Sequence, residues 1–170
     1  MTYFNGFSLK GEEVFFKEQL ITNDYTVAGF SYGATKAFEY VFNSTERIDR
    51  LILLSPAFFQ NHKKSFVRTQ LRYYKADKKA YTQQFLENVA YPSIIKLDKY
   101  VTQGTIEELE SLLTYKWEKE KILELLKRGI IIEIFMGEED KIVDAPQSFE
   151  FFKGLVPCYF FKGVGHLLKG

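Results

Sequence analysis

The sequence predicts an α/β fold with a mainly parallel sheet of about five strands and a helical lid insertion. Three observations predict it. Short apolar runs alternate with stretches of helical spacing along the whole chain. The runs Leu51 to Leu54 and Ile130 to Phe135 are almost wholly apolar, as strands covered on both faces should be. Roughly seventy residues of helical pattern separate these two runs, too many for a plain crossover.

The elements follow in order. Thr2-Tyr3-Phe4 reads as a short strand stopped by the turn residues Asn5-Gly6. Gly11 to Leu20 fits a helix, with Glu12 and Glu13 at its positive end. Tyr25 to Phe30 is a second strand, and Tyr32 to Phe42 carries helical apolar spacing through Ala34, Ala37, Phe38 and Val41. Ser55-Pro56 closes the Leu51 strand. Beyond it, helices are expected over Lys64 to Lys78, over Tyr81 to Val89, and from a capping box at Thr105 with Glu108. Another is expected from about Trp117 to Lys127, with Gly129 as its stop. The Ile130 strand, a short helix over Asp144 to Phe152 and a last strand at Tyr159 to Phe161 complete the chain. Residues 57–127 leave the Leu51 strand at its carboxyl end, where ligands of open α/β sheets bind. They are therefore read as a lid within a single domain spanning 1–170.

Composition narrows the function. Hydrophobic residues make up 46% and charged residues 26%, a globular balance. The 17% aromatic share fits an aromatic core, alone or with an aromatic-lined cavity. A net charge of +1 gives no whole-molecule attraction to nucleic acid or membrane. No apolar stretch reaches the roughly 20 residues of a membrane span, and no secretory leader pattern is visible at MTYFNGF. The single Cys158 excludes an intramolecular disulfide, fits a reducing cytoplasm and reads as a buried structural thiol.

Gly29-Phe30-Ser31-Tyr32-Gly33 matches G-x-S-x-G between a strand and a helix, the context of a nucleophile elbow. The turn is tight, so its flanking positions must be small, and Ser31 is lifted above the sheet. Serine needs a base, and the chain has two histidines. His62 stands beside Lys63 and Lys64 and looks like a surface residue. His166 follows the last strand within Gly163-Val164-Gly165-His166, a turn free to present an imidazole at the same rim. Asp140, in the Gly-x-x-Asp loop after the Ile130 strand, is the expected acid behind it, with Glu138, Glu139 and Asp144 as rivals. The order Ser, Asp, His is that of the α/β hydrolases. The expected oxyanion donors are the backbone N–H of Tyr32 and that of Phe7 or Ser8, in the loop after the first strand.

From Lys63 to Lys79 the chain carries seven basic residues against one acid, Asp77. Lys64, Arg68, Arg72, Lys75 and Lys79 fall on one stripe of a helix, beside an apolar stripe of Val67, Leu71 and Tyr74. The basic stripe is either a solvated face or a landing site for an acidic partner. No motif of a nucleic-acid-binding module accompanies it.

Tyr3-Phe4-Asn5-Gly6-Phe7, Val27-Ala28-Gly29-Phe30-Ser31-Tyr32-Gly33-Ala34, the Gly137-x-x-Asp140 loop and Gly165-His166 resemble the short pimelyl-acyl carrier protein methyl ester esterases of the BioV type. The resemblance implies a truncated α/β-hydrolase fold. It also implies a cytoplasmic carboxylesterase of biotin precursor synthesis, monomeric and without metal or redox cofactor. Acyl carrier protein would be the partner, held on the basic stripe. Two departures stand out. The chain reaches its oxyanion loop and elbow without the two further strands that usually precede them, and Asn5-Gly6 replaces the usual His-Gly. An esterase or thioesterase for another acyl carrier, and a catalytically silent binding module, are the alternative readings.

Overall fold

The computed structural model describes residues 1–170. Five strands form one sheet: β1 (Thr2–Phe4), β2 (Thr26–Phe30), β3 (Arg50–Leu54), β4 (Ile131–Gly137) and β5 (Cys158–Phe161). They lie in sequence order and every neighbouring pair is parallel. Six α-helices accompany them: α1 (Tyr32–Asn43), α2 (Lys64–Ala76), α3 (Lys78–Ala90), α4 (Ile106–Thr114), α5 (Lys119–Lys127) and α6 (Ala145–Phe152).

The two faces of the sheet are covered differently. One face presents Val27, Leu51, Leu53, Ile132, Ile134 and Met136 to α1, α5 and α6, whose Phe38, Val41, Ile122, Leu125 and Phe152 complete the largest core. Trp117 joins that core, donating Nε1–H to the Ala57 carbonyl at 2.8 Å, while Gln60 pairs with both its backbone N–H and carbonyl. The other face, with Ala28, Phe30, Ile52 and Leu54, is covered by Leu9, Phe16, Val89, Ala90, Leu97, Leu167 and Leu168. A third cluster joins Phe7 to α2 and α4 through Tyr74, Leu109, Leu112 and Leu113, with Ala57, Phe59 and Val143. These residues sit at the carboxyl ends of the strands, above the sheet.

The face assignments fix a matter of hand. Strands run in sequence order, so crossovers of one hand must all lie on one face. The links through α1, α5 and α6 obey this. The β1–β2 link, carrying Phe16, passes on the opposite face and is of opposite hand. Right-handed crossovers are the rule, so the short link is the exception.

Several expectations change in detail. The predicted helix over Gly11 to Leu20 shrinks to a 3-10 turn at Glu12–Phe16, because Glu12 turns inward and is fully buried instead of facing solvent. The helix expected from Trp117 starts at Lys119, since Trp117 anchors the core. The capping box at Thr105 and Glu108 is formed, and Gly129 ends α5 with φ 81°. Cys158 is half-buried instead of buried. Of the segment between β3 and β4, α5 packs on a sheet face, leaving α2 to α4 near the strand ends. No helix is long and apolar enough to cross a membrane.

Candidate active site

Each strand delivers one piece of the site at its carboxyl end. Asn5 to Phe7 follow β1, Ser31 follows β2, Ser55 follows β3, Asp140 follows β4 and His166 follows β5. Parallel pairing in sequence order brings all five to one rim.

Ser31 adopts φ 54°, ψ −114°, a conformation that side-chain-bearing residues avoid. The surrounding backbone imposes it. Ser31 N–H donates to the Leu54 carbonyl at 2.9 Å, and the Ser31 carbonyl accepts from Ala57 N–H at 3.1 Å. A Cβ on Gly29 would overlap the Gly33 carbonyl, and one on Gly33 would overlap the Phe4 carbonyl. Both positions therefore need glycine, and the second brings the end of β1 against the start of α1.

The structure brings the three predicted residues into one line. His166 Nε2 lies 2.8 Å from Ser31 Oγ, and His166 Nδ1 lies 2.6 Å from Asp140 Oδ2. Asp140 Oδ1 accepts from Ile142 N–H at 2.7 Å and Val143 N–H at 3.0 Å, which fixes the carboxylate. The rivals are placed elsewhere: Asp144 caps α6 by accepting from Gln147 N–H, and Glu138 and Glu139 are exposed. The turn bearing His166 is pinned, not loose. Leu167 N–H donates to the Val89 carbonyl, Ser55 Oγ–H donates to the His166 carbonyl at 2.6 Å, and Gly165 lies against the Tyr91 carbonyl. Phe30 packs beside the imidazole, ring centroids 5.1 Å apart.

Tyr32 begins α1, where a backbone N–H has no partner within the helix. The N–H of Phe7 makes no hydrogen bond within the protein. Ser8 has φ 58°, and its buried hydroxyl lacks a partner.

A cavity of about 710 Å³ opens between α2, α3, α4 and the Asp140 loop, lined by Phe59, Phe66, Phe85, Leu109, Leu113 and Asp140 among others. His62 is exposed, as expected, and stacks on Phe66 at its edge. Ser31 and His166 are not part of the lining and are themselves buried, at 3% and 0% exposure.

The basic stripe is broken. Asp77 separates α2 from α3 and caps α3 through Ala80 N–H, so Lys79 stands on a different helix from Lys64, Arg68, Arg72 and Lys75. All five are exposed and none forms an ion pair. Val67, Leu71 and Tyr74 pack down into the third cluster, as their stripe predicts.

No family model matches the sequence, and no curated protein matches it. Solved structures do match. A bromoperoxidase from Bacillus anthracis superposes with a TM-score of 0.66 at 16% identity, over 89% of this chain and 63% of that one. MenH from S. aureus matches at a TM-score of 0.57 and 15% identity, over 97% of this chain and 85% of that one. The fold is that of the α/β hydrolases. Naproxen esterase (carboxylesterase NP) from Bacillus subtilis aligns at a TM-score of 0.53 and 18% identity, over 84% of this chain. The chain spans about half of that esterase's length, 53%. The expected sheet of about five strands is met by five.

Proposed function

We propose that the chain is a serine carboxylesterase that hydrolyses the methyl ester of a pimelyl chain carried on acyl carrier protein. The observation that carries the esterase reading is the line from Asp140 through His166 to Ser31, with spacings of 2.6 and 2.8 Å. In this reading Ser31 Oγ attacks the ester carbonyl and its proton passes to His166 Nε2. The oxyanion is met by the N–H groups of Tyr32 and Phe7. The C–O bond to methoxide breaks as His166 returns the proton, releasing methanol. Water then attacks the acyl-serine, losing a proton to His166. Collapse of that second intermediate frees the carboxylate and restores the Ser31 hydroxyl.

The substrate rests on different support. The motifs at Tyr3 to Phe7 and Val27 to Ala34 resemble those of the short pimelyl esterases, and the neighbouring carboxylesterase fold is compatible with ester cleavage. The apolar cavity beside the Asp140 loop has the volume for an acyl chain. The unpaired cations of α2 offer an acidic carrier a place to dock. Remote binding there would set which carbonyl reaches Ser31.

The test is incubation with methyl-pimelyl-acyl carrier protein, read by mass spectrometry. Conversion of the methyl ester to the acid supports the proposal. Release of free carrier thiol makes the enzyme a thioesterase. No change of the carrier substrate by a protein that cleaves small esters leaves only the general esterase reading.

A further inference from the structure

We infer that Glu12 is a positioning residue for the oxyanion loop, holding the Gly6–Phe7 segment so that the Phe7 N–H faces the reacting carbonyl. The inference rests on the reading of Ser31 as nucleophile and extends it to a residue outside the triad.

Glu12 is 0% exposed, an unusual place for a carboxyl with no cation beside it. Its Oε1 accepts the Gly6 N–H at 2.7 Å and the Tyr3 hydroxyl at 3.3 Å. Its Oε2 is buried without a partner. Such a burial costs stability, so a compensating use is worth seeking. The loop geometry supplies one. The Gly6 carbonyl accepts from Leu9 N–H at 3.2 Å, and Asn5 Oδ1 accepts from Gly11 N–H at 3.0 Å. The Gly6 carbonyl and the Phe7 N–H belong to one planar peptide and point in opposite directions. Leu9 holds the carbonyl of the plane that carries the Phe7 N–H, and Glu12 holds the N–H of the plane before it, so the two bonds restrain the turn at Gly6 from both sides. The Phe7 N–H, like the N–H of Ser8 beside it, has no partner in the protein.

Neighbouring contacts tie this plane to the triad. A Cβ on Gly6 would press on the Phe30 ring, and Phe30 packs on His166. Burial pushes the Glu12 carboxyl above its usual range, despite the opposing hydrogen bond from Gly6.

The test compares Glu12→Leu, Glu12→Asp and Glu12→Gln with the unsubstituted chain in hydrolysis of p-nitrophenyl butyrate. Leucine fills the space but accepts no hydrogen bond. Its kcat should fall about 10²-fold, the scale of one misplaced or missing donor, with KM changed by less than about twofold. Aspartate draws the carboxyl back by one methylene, and its kcat should fall about tenfold. Glutamine keeps the acceptor without charge and should hold kcat within about threefold of wild type. A Leu or Asp variant with wild-type kcat overturns the inference. So does a loss confined to KM, or a Gln variant as slow as the Leu one. Should the Leu variant not fold, the Asp and Gln pair decides on the same criteria. Ser31→Ala in the same assay separates the two claims. If it is inactive while Glu12→Leu is fully active, only the Glu12 assignment falls. If Ser31→Ala retains activity, or wild type has none, the nucleophile reading falls and Glu12 with it.

Discussion

Asp140 Oδ2 stands 2.6 Å from His166 Nδ1, and the two side chains are 1% and 0% exposed. The other carboxylate oxygen is fully occupied by the N–H groups of Ile142 and Val143. One oxygen alone is therefore turned to the ring. This arrangement places a proton on Nδ1 and leaves the Nε2 lone pair facing Ser31 Oγ. Burial keeps water from competing for either contact.

Asp140→Asn tests that dependence. The amide nearly matches the carboxylate in shape, but turning its NH2 toward Nδ1 would favour the tautomer with the proton on Nε2. The base would then point its proton at Ser31. The expected result is a kcat lower by about 10⁴-fold with an unchanged circular dichroism spectrum. Steady-state hydrolysis of p-nitrophenyl butyrate measures it. A loss below about tenfold would mean that His166 does not depend on this carboxylate.

The line of Ser31, His166 and Asp140 was legible because each of the three stands in a short local pattern. Ser31 lies between glycines that the elbow requires, His166 is one of two histidines, and Asp140 occupies Gly-x-x-Asp after the strongest strand. The fold class was legible for a similar reason, since alternating strands and helices fix a parallel sheet. Glu12 and Ser55 were not legible. Each acts on a backbone group far along the chain or across the loop, and backbone partners leave no mark on side-chain spacing. Glu12 read as a helix opener, and only its inward turn to Gly6 N–H reveals otherwise. The basic stripe failed at Lys79 because periodicity ran through Asp77, whose capping of α3 resets the helix. Trp117 fits the helical spacing of the residues that follow it, but its indole lies in the core. The unusual hand of the β1–β2 link follows from contacts between distant elements, which no local pattern encodes.

Cys158 gives a test by pH. Its Sγ lies 3.5 Å from the Val156 carbonyl, and burial pushes its pKa up to about 11. The thiol form is thus favoured across the physiological range, and the reactive thiolate appears as pH rises toward that value. Alkylation by iodoacetamide at pH 8 should be about 10²-fold slower than for free cysteine. The rate should then climb about tenfold per pH unit up to pH 10. Labelling followed by intact mass checks both. Fast labelling at pH 7 would mark an activated thiol and reopen a role for this residue.

The unpaired cations of α2 call for a substrate comparison. Arg68 and Arg72 are exposed and lie apart from the rim residues, so reversing both to Glu should leave hydrolysis of p-nitrophenyl butyrate within about twofold. If an acidic carrier docks there, kcat/KM for carrier-bound ester should fall about 10-fold or more, and the deficit should shrink as salt rises. Equal losses on both substrates would place the effect in folding or in the site. No loss on the carrier substrate would leave the stripe a solvated face.

Ser55 sits at the end of β3 with φ 40°, and its hydroxyl is the hydrogen-bond partner of the His166 carbonyl. No backbone N–H reaches that carbonyl. Ser55→Ala would strand a buried acceptor, at a cost of about 1–3 kcal/mol. For a chain of this size about 1 kcal/mol lowers Tm by roughly 2–4 °C. The positive φ adds a second strain that alanine shares with serine and glycine relieves. Ser55→Gly should therefore be the more stable of the two while lacking the same hydroxyl. If the hydroxyl matters for holding His166, both variants lose kcat together, by about tenfold, whatever their Tm. If backbone strain alone mattered, kcat would follow Tm, and Ser55→Gly would match wild type. Measuring the two quantities on both variants separates anchoring of the base from stability of the turn.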